Sequence, residues 1–282
     1  MTEPRKAAPV ALDRDATTSA AFLAITAECI AHWQANAPAV VADRDVEALH
    51  QTRVGIRRFR SCLSLFGRTL DEPQVGWLSD EIRELALPFG EARDLDAFLE
   101  SPEVGALPDE LTERLRGRRE RAYDIVAAVL TSTRWSDAWS LVERFRAHAP
   151  WALDPDPPAR DTAAAALERR WQRVRRGGRQ LRELTPPERH RVRIEAKKLR
   201  YGAQFFADLF PEGVGTPPME FAASIEPLQY ALGLLNDVHT RELMLDAIGA
   251  TPPATDLAPL VDDAVSAARA VRGLAPFWRA ES

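Results

Sequence analysis

His50-Gln-Thr-Arg53-Val-Gly-Ile-Arg57-Arg58-Phe-Arg60 returns 140 residues later as His190-Arg-Val-Arg193-Ile-Glu-Ala-Lys197-Lys198-Leu-Arg200. Each copy reads histidine, a basic residue at +3, an aliphatic at +4, basics at +7 and +8, and another basic at +10. Steps of 3, 4 and 3 align His50, Arg53, Arg57 and Arg60 along one side of a helix, and do the same for His190, Arg193, Lys197 and Arg200. Like charges aligned in this way repel one another unless something negative lies against them. A stripe that occurs twice therefore points to a duplicated anion-binding device within helical structure.

Other landmarks repeat in the same order. Trp33-Gln34 matches Trp171-Gln172, Phe66 matches Phe206, and Gly90-Glu-Ala-Arg93-Asp94-Leu-Asp96 matches Gly233-Leu-Leu-Asn236-Asp237-Val-His239. Few segments alternate like strands, and prolines punctuate helical periodicity. The pattern predicts helices near 17–36, 45–69, 74–87, 91–100, 109–132, 136–147, 160–183, 187–210, 217–235, 236–248 and 256–272. Residues 1–15 and 276–282 read as tails, and the Pro-rich stretch 149–159 reads as a linker between repeats at 16–148 and 160–275. The expected architecture is all-α, with two helical bundles related by a pseudo-twofold, either separate or packed as one continuous unit.

With 282 residues, 45% of them hydrophobic and 28% charged, the chain reads as a soluble globular protein. The net charge of −5 argues against a generally basic nucleic-acid binder, but its distribution is uneven. Between Arg169 and Arg200 there are 13 Lys/Arg against three Glu, a local +10 that leaves −15 for the rest. That polarity suits capture of a polyanion on one surface. Only Lys6, Lys197 and Lys198 are lysines; the remaining cations carry the guanidinium fork that suits phosphate. Cys29 and Cys62 lack metal-ligand spacing and sit among apolar positions, as buried free thiols of a reducing cytoplasm would. The polar N-terminus has no signal-like core, and no apolar run approaches the roughly 18 residues of a membrane span. The protein is expected to be cytoplasmic.

The individual residues carry alternatives. His50 and His190 either donate to an anion or orient the start of their helices, and His239 faces the same choice. Asp94, Asp96, Asn236 and Asp237 either hold Mg²⁺ or fix arginine forks. One carboxylate per half, with Asp96 replaced by His239, makes a poor metal cage, so the buttress is favoured and no metal or cofactor is expected. Arg93 adds to the cationic face. In the run from Arg169 to Arg182, Arg169, Arg173 and Arg176 form one line and are further candidate contacts. Glu195 is placed to pair with Arg191 or Lys198. The run Arg114–Arg121 is interspersed with Glu and Asp and reads as a solvated face. Trp33, Trp77, Trp135, Trp139 and Trp171 read as packing anchors.

The duplicated stripes and the paired second landmark resemble the CHAD domain (conserved histidine α-helical domain), over about residues 17–272. The resemblance implies two four-helix bundles around a basic cavity and binding of inorganic polyphosphate, often at polyphosphate granules with other granule proteins. With that ligand, the residues read above become its candidate contacts: His50, Arg53, Arg57, Arg58, Arg60, Arg93, Arg169, Arg173, Arg176, His190, Arg193, Lys197, Lys198, Arg200 and His239. No catalytic residue is expected. The CYTH triphosphatase domains that can be fused to CHAD domains carry a Glu-x-Glu-x-Lys motif, and neither that motif nor a block of strands occurs here. A phosphohydrolase and a generic nucleic-acid or polyanion binder are the rival readings, the latter disfavoured by net acidity and the lack of a groove-reading motif. A scaffold for another protein's acidic tail is a third. No oligomerisation motif is present, and a homodimer stays open.

Overall fold

The computed structural model describes residues 3–70, 72–148, 156–210, 215–252 and 254–279, and among these every regular element is a helix. They are α1 (Thr18–Asp43), α2 (Val46–Phe66), α3 (Glu72–Leu99), α4 (Asp109–Leu130), α5 (Thr133–Ala147), α6 (Ala159–Arg179), α7 (Pro186–Phe205), α8 (Pro218–Ser224), α9 (Glu226–Ala247) and α10 (Ala258–Arg272). Of the expected linker, residues 149–155 lie outside the described residues. The chain forms two compact units. The first comprises Met1–Ala8, Ile25–Leu153 and Ala247–Ala250, and the second Pro9–Ala24, Asp154–Asp246 and Thr251–Ser282, each taken over its described residues.

In the first unit the core is aromatic. Trp33 of α1 stacks on Trp139 of α5 at 4.2 Å and meets Trp135 edge-on at 5.1 Å, while Phe89 of α3 stacks on Trp135 at 5.7 Å. Helix α2 starts at Asp45, whose carboxylate accepts the Ala48 N–H at 2.7 Å, satisfying an otherwise orphaned donor. It then buries Leu49, Ile56, Phe59 and Leu63, which leaves His50, Arg53, Arg57 and Arg60 on another face. Cys29 and Cys62 are buried free thiols, and burial pushes the Cys29 thiol up to about 12. Trp77 departs from the expected role, being 57% exposed on α3.

Two prolines expected to end helices lie inside them. Helix α1 runs through Pro38 to Asp43, and α3 runs through Pro88 without a break. Each proline removes one i→i−4 hydrogen bond. The helices continue because the flanking turns are anchored, by Val40 after Pro38 and by Leu85, Phe89 and Ala92 around Pro88, all buried. Helix α1 stops at Arg44, whose φ of 51° is left-handed. Its guanidinium pairs with Glu120 and with Asp124 at 2.5 Å.

The second unit packs Trp171 of α6 against Phe221 of α8 (5.5 Å) and Trp278 (6.3 Å), with Phe277 edge-on to Phe221 at 5.6 Å. The expected C-terminal tail is thus part of this core as far as Trp278; residues 280–282 lie outside the described residues. Glu168 accepts from Trp278 Nε1 at 3.0 Å and from Arg279 at 2.7 Å, and Arg279 foremost holds its carboxyl down at about 2. The expected N-terminal tail is also held. Val10 and Leu12 are buried, the Leu12 N–H donates to Asp208 at 3.1 Å, and the Thr18 hydroxyl donates to the Pro157 carbonyl at 2.9 Å. The anchors lie in short apolar runs, Ala7–Leu12 and Leu274–Trp278, too brief to show helical or strand periodicity, so their docking is set by tertiary partners. The division expected at 235 falls instead at Ile225. Pro227 is the marker, since proline is preorganised for the first turn of a helix.

Gly55, inside the first stripe, sets how closely α1 and α2 approach. A Cβ there would lie 2.9 Å from both Trp33 Cβ and the Trp33 backbone nitrogen. At an open helix site Gly→Ala stabilises by about 1 kcal/mol. Here we expect Gly55→Ala to destabilise by about 1–3 kcal/mol, measured by denaturant unfolding. A gain in stability would show that the two helices separate easily.

Candidate basic site

In the first unit the stripe lies along the seam between α2 and α3. Arg53 donates to the Gly90 carbonyl at 3.0 Å and stands 3.5 Å from Asp94, so Asp94 takes the buttress position expected of it. Burial lowers the basicity of Arg53, Asp94 opposes that, and Arg57 and Arg93 add to the lowering. His50 is half-buried beside the same cations. Its basicity is lowered first by burial and further by Arg93, Arg57 and Arg53, with Glu47 opposing. His50, Arg53, Arg57 and Arg93 thus form one cluster.

Arg60 extends the stripe. Its basicity is lowered by burial and by Arg83, with Asp80 opposing. The Nε of Arg60 and one terminal nitrogen of Arg93 are buried without a hydrogen-bond partner among the described residues.

Two expected members of this half point elsewhere. Arg58 is 7% exposed, reaches the Ala8 carbonyl at 3.4 Å and lies beside Cys29; one residue past Arg57 it is turned by about 100° around the helix. Asp96 is 2% exposed and accepts from Arg119 Nε at 2.7 Å and from the Tyr123 hydroxyl at 2.8 Å. It supports the packing of α3 against α4 and no stripe arginine. The arginines of α4 are matched by acids as expected, with Arg114–Glu110 at 3.6 Å, Arg116–Glu113 at 3.4 Å and Arg118–Glu91 at 2.8 Å.

In the second unit α7 opens with a capping box between Thr185 and Glu188 and presents its stripe toward α9. His190 Nδ1 and Asn236 Oδ1 are 2.6 Å apart, Gln229 donates to the Ala196 carbonyl at 3.0 Å, and Arg200 pairs with Glu226 at 2.6 Å. Arg193 and Lys197 lie half-buried between these points. His190, Asn236 and His239 share the lining of a pocket of about 350 Å³ with Leu232, Leu235 and Glu242. Asn236 is thus within hydrogen-bond reach of His190. Asp237 is exposed on α9, so among the described residues only Asp94 is seen beside a stripe arginine as the paired motifs predict.

The remaining expected contacts fall on the opposite side of α7. Glu195 gathers Arg170 at 3.0 Å, Arg173 at 3.5 Å and Lys198 at 3.7 Å. Arg173 and Arg176 line a separate groove between α6 and α7 with Arg191, Val192 and Glu195. Positions 191, 192 and 195 lie about half a turn of helix away from 190, 193, 197 and 200. Arg173, Arg176 and Lys198 therefore do not join the stripe, and Arg169 is half-buried on α6. Sequence reasoning missed Glu226 and Gln229, which hold α9 against the stripe; one acid at a helix start carries no mark of a partner 26 residues away.

The folded basicity of His50 lies below the ordinary 6.5, so between those values the unfolded chain binds more protons. The stability His50 contributes is present above about pH 6.5 and is lost as pH falls below it. An NMR titration should give His50 a midpoint below 6.5 in the free protein and a higher one with an anion against the stripe. A free-protein midpoint at or above 6.5 would contradict the clustering of the arginines around the ring.

Comparison with known proteins agrees with the all-helical arrangement. The structure resembles the crystal structure of the CHAD domain from the plant Ricinus communis, with a TM-score of 0.76 and 28% identity, over 95% of this chain and 89% of that one. It also shares its fold with PptA from Streptomyces chartreusis, at TM-score 0.59 and 15% identity, over 91% of this chain and 98% of that one. Two uncharacterised proteins of Mycobacterium tuberculosis, from strains CDC 1551 and H37Rv, are 30% identical over 172 residues, 56% of this chain. The match covers 34% of the length of those relatives. No described helix is long and apolar enough to cross a membrane. The CHAD domain profile matches residues 24–246, most of the chain and both stripes, and the protein belongs to the CHAD domain family.

Proposed function

We propose that this chain is a non-enzymatic module that binds inorganic polyphosphate through the two stripes, acting in the cytoplasm at polyphosphate granules with other granule proteins. The observation that carries the reading is the contrast between α4 and α2. On α4 arginines are matched by carboxylates. Along α2, His50 is crowded by Arg53 and Arg57 of the same helix and by Arg93 of α3, and among the described residues buried N–H groups of Arg60 and Arg93 meet no acceptor. Such groups are costly unless a ligand or ordered water completes them.

Polyphosphate suits these cations chemically. It offers about one negative charge per phosphate and has no base or sugar to recognise, so charge density and bidentate geometry are what a binder can use. Each charge-assisted hydrogen bond contributes on the order of 1.5–3 kcal/mol. A few are enough after the entropy of ordering a flexible chain is deducted. The tryptophans Trp33, Trp139 and Trp171 are buried in the two cores, which leaves them unable to stack on the bases of a single strand. Asp94 and Asp96 are engaged by Arg53 and by Arg119 with Tyr123, which supports binding without metal-assisted hydrolysis.

Calorimetric titration with long-chain polyphosphate at low and moderate salt, with RNA of matched charge as competitor, tests this. We expect binding that weakens steeply with salt as counterions are released, resists RNA, and returns the phosphate chain intact. Equal displacement by RNA would reduce the site to a generic polyanion surface, and chain shortening would make the protein a phosphohydrolase.

A further inference from the structure

We propose that the groove between α6 and α7 is a second site, separate from the stripe, which takes an acidic amphipathic helix of a partner protein. The groove is shallow and open to solvent, with a volume of about 400 Å³. Its floor is apolar, formed by Leu184, Val192 and Ile194, and its rim carries Arg173, Arg176 and Arg191. Ile194 is 37% exposed, and Arg173 and Arg191 have side chains 59% and 70% exposed. Gly177 is what makes the floor, because a Cβ there would collide with Val192.

The chemistry of the lining selects the occupant. Glu188 and Glu195 are paired with cations of the protein itself, and a phosphate chain has nothing to bury against Leu184, Val192 and Ile194. A helix with leucines at i, i+3 and i+7 flanked by Asp or Glu satisfies both features, with apolar anchors on the floor and carboxylates on the arginine rim. Arg173 and Arg191 are only loosely committed within the protein, at 3.5 Å from Glu195 and 3.6 Å from Glu188. The net excess of cations over residues 169–200 favours approach of an acidic segment. Because the groove and the stripe occupy opposite sides of α7, both can be filled at once. The groove proposal does not depend on what the stripe binds.

The test is fluorescence anisotropy on the full chain with a labelled helical peptide of about 16 residues, alternating leucine anchors with Asp and Glu. A control peptide has every acid replaced by its amide. We expect the acidic peptide to bind and the amide peptide to bind at least about tenfold more weakly, as loss of the rim pairs requires. Arg176→Glu with Arg191→Glu should abolish binding. The milder pair Arg176→Gln with Arg191→Gln, at exposed positions, should weaken it while leaving the far-UV circular dichroism unchanged. Arg193→Ala on the stripe should not affect the peptide, and added polyphosphate should not displace it. Displacement by polyphosphate, equal loss on Arg193→Ala, equal binding of the amide peptide, or no binding of the acidic peptide would each overturn the proposal.

Discussion

Cations held half out of water on one face of a helix are the costly element of this chain, and much of the surrounding structure is arranged around them. Desolvation and mutual repulsion both act against the charged forms. Both are visible at His50 and Arg53, whose proton affinities are lowered by burial and by their basic neighbours. The protein answers with single, spaced carboxylates, Asp94 beside Arg53 and Glu226 against Arg200. These orient the forks without neutralising each cation. On α4 the same residue type is paired with acids, at Arg114, Arg116, Arg118 and Arg119. Arginine content therefore carries little meaning in this protein, and the local balance of counter-charge carries most of it.

Much of this was legible in the sequence, for a physical reason. A 3-4-3 spacing of charged residues survives into the folded helix because helical geometry is rigid, so His50, Arg53, Arg57 and Arg60 could be placed together before any packing was known. The same rigidity turns Arg58 and Lys198 away from that line, toward Ala8 and Glu195 respectively. Asp96 and Asp94 are two residues apart, and only the positions of Arg119 and Tyr123 on α4 reveal that they serve different partners. Such assignments depend on tertiary neighbours that no local pattern encodes. Pro38 and Pro88 fail as helix ends for a related reason, since the burial of Val40, Leu85 and Phe89 outweighs the single hydrogen bond each proline removes.

The second unit adds an asymmetry that the repeat conceals. Gly55 in the first copy lets α1 approach α2 closely, whereas the matching position in the second copy is Glu195, the hub of an ion cluster with Arg170, Arg173 and Lys198. One substitution between the copies converts a packing contact into a charged surface on the side of α7 away from the stripe. The two halves keep the stripe in common and differ in what stands behind it.

The most direct test of the central claim is to replace Arg53, Arg57, Arg193 and Lys197 with Ala together, and to measure polyphosphate binding and thermal unfolding on the same preparation. If the stripes exist to hold an anion, binding disappears while helicity and Tm stay nearly unchanged, because the change removes repulsion along with any internal contacts. Loss of folding would show that the cations are structural, and retained binding would show that the anion is held elsewhere.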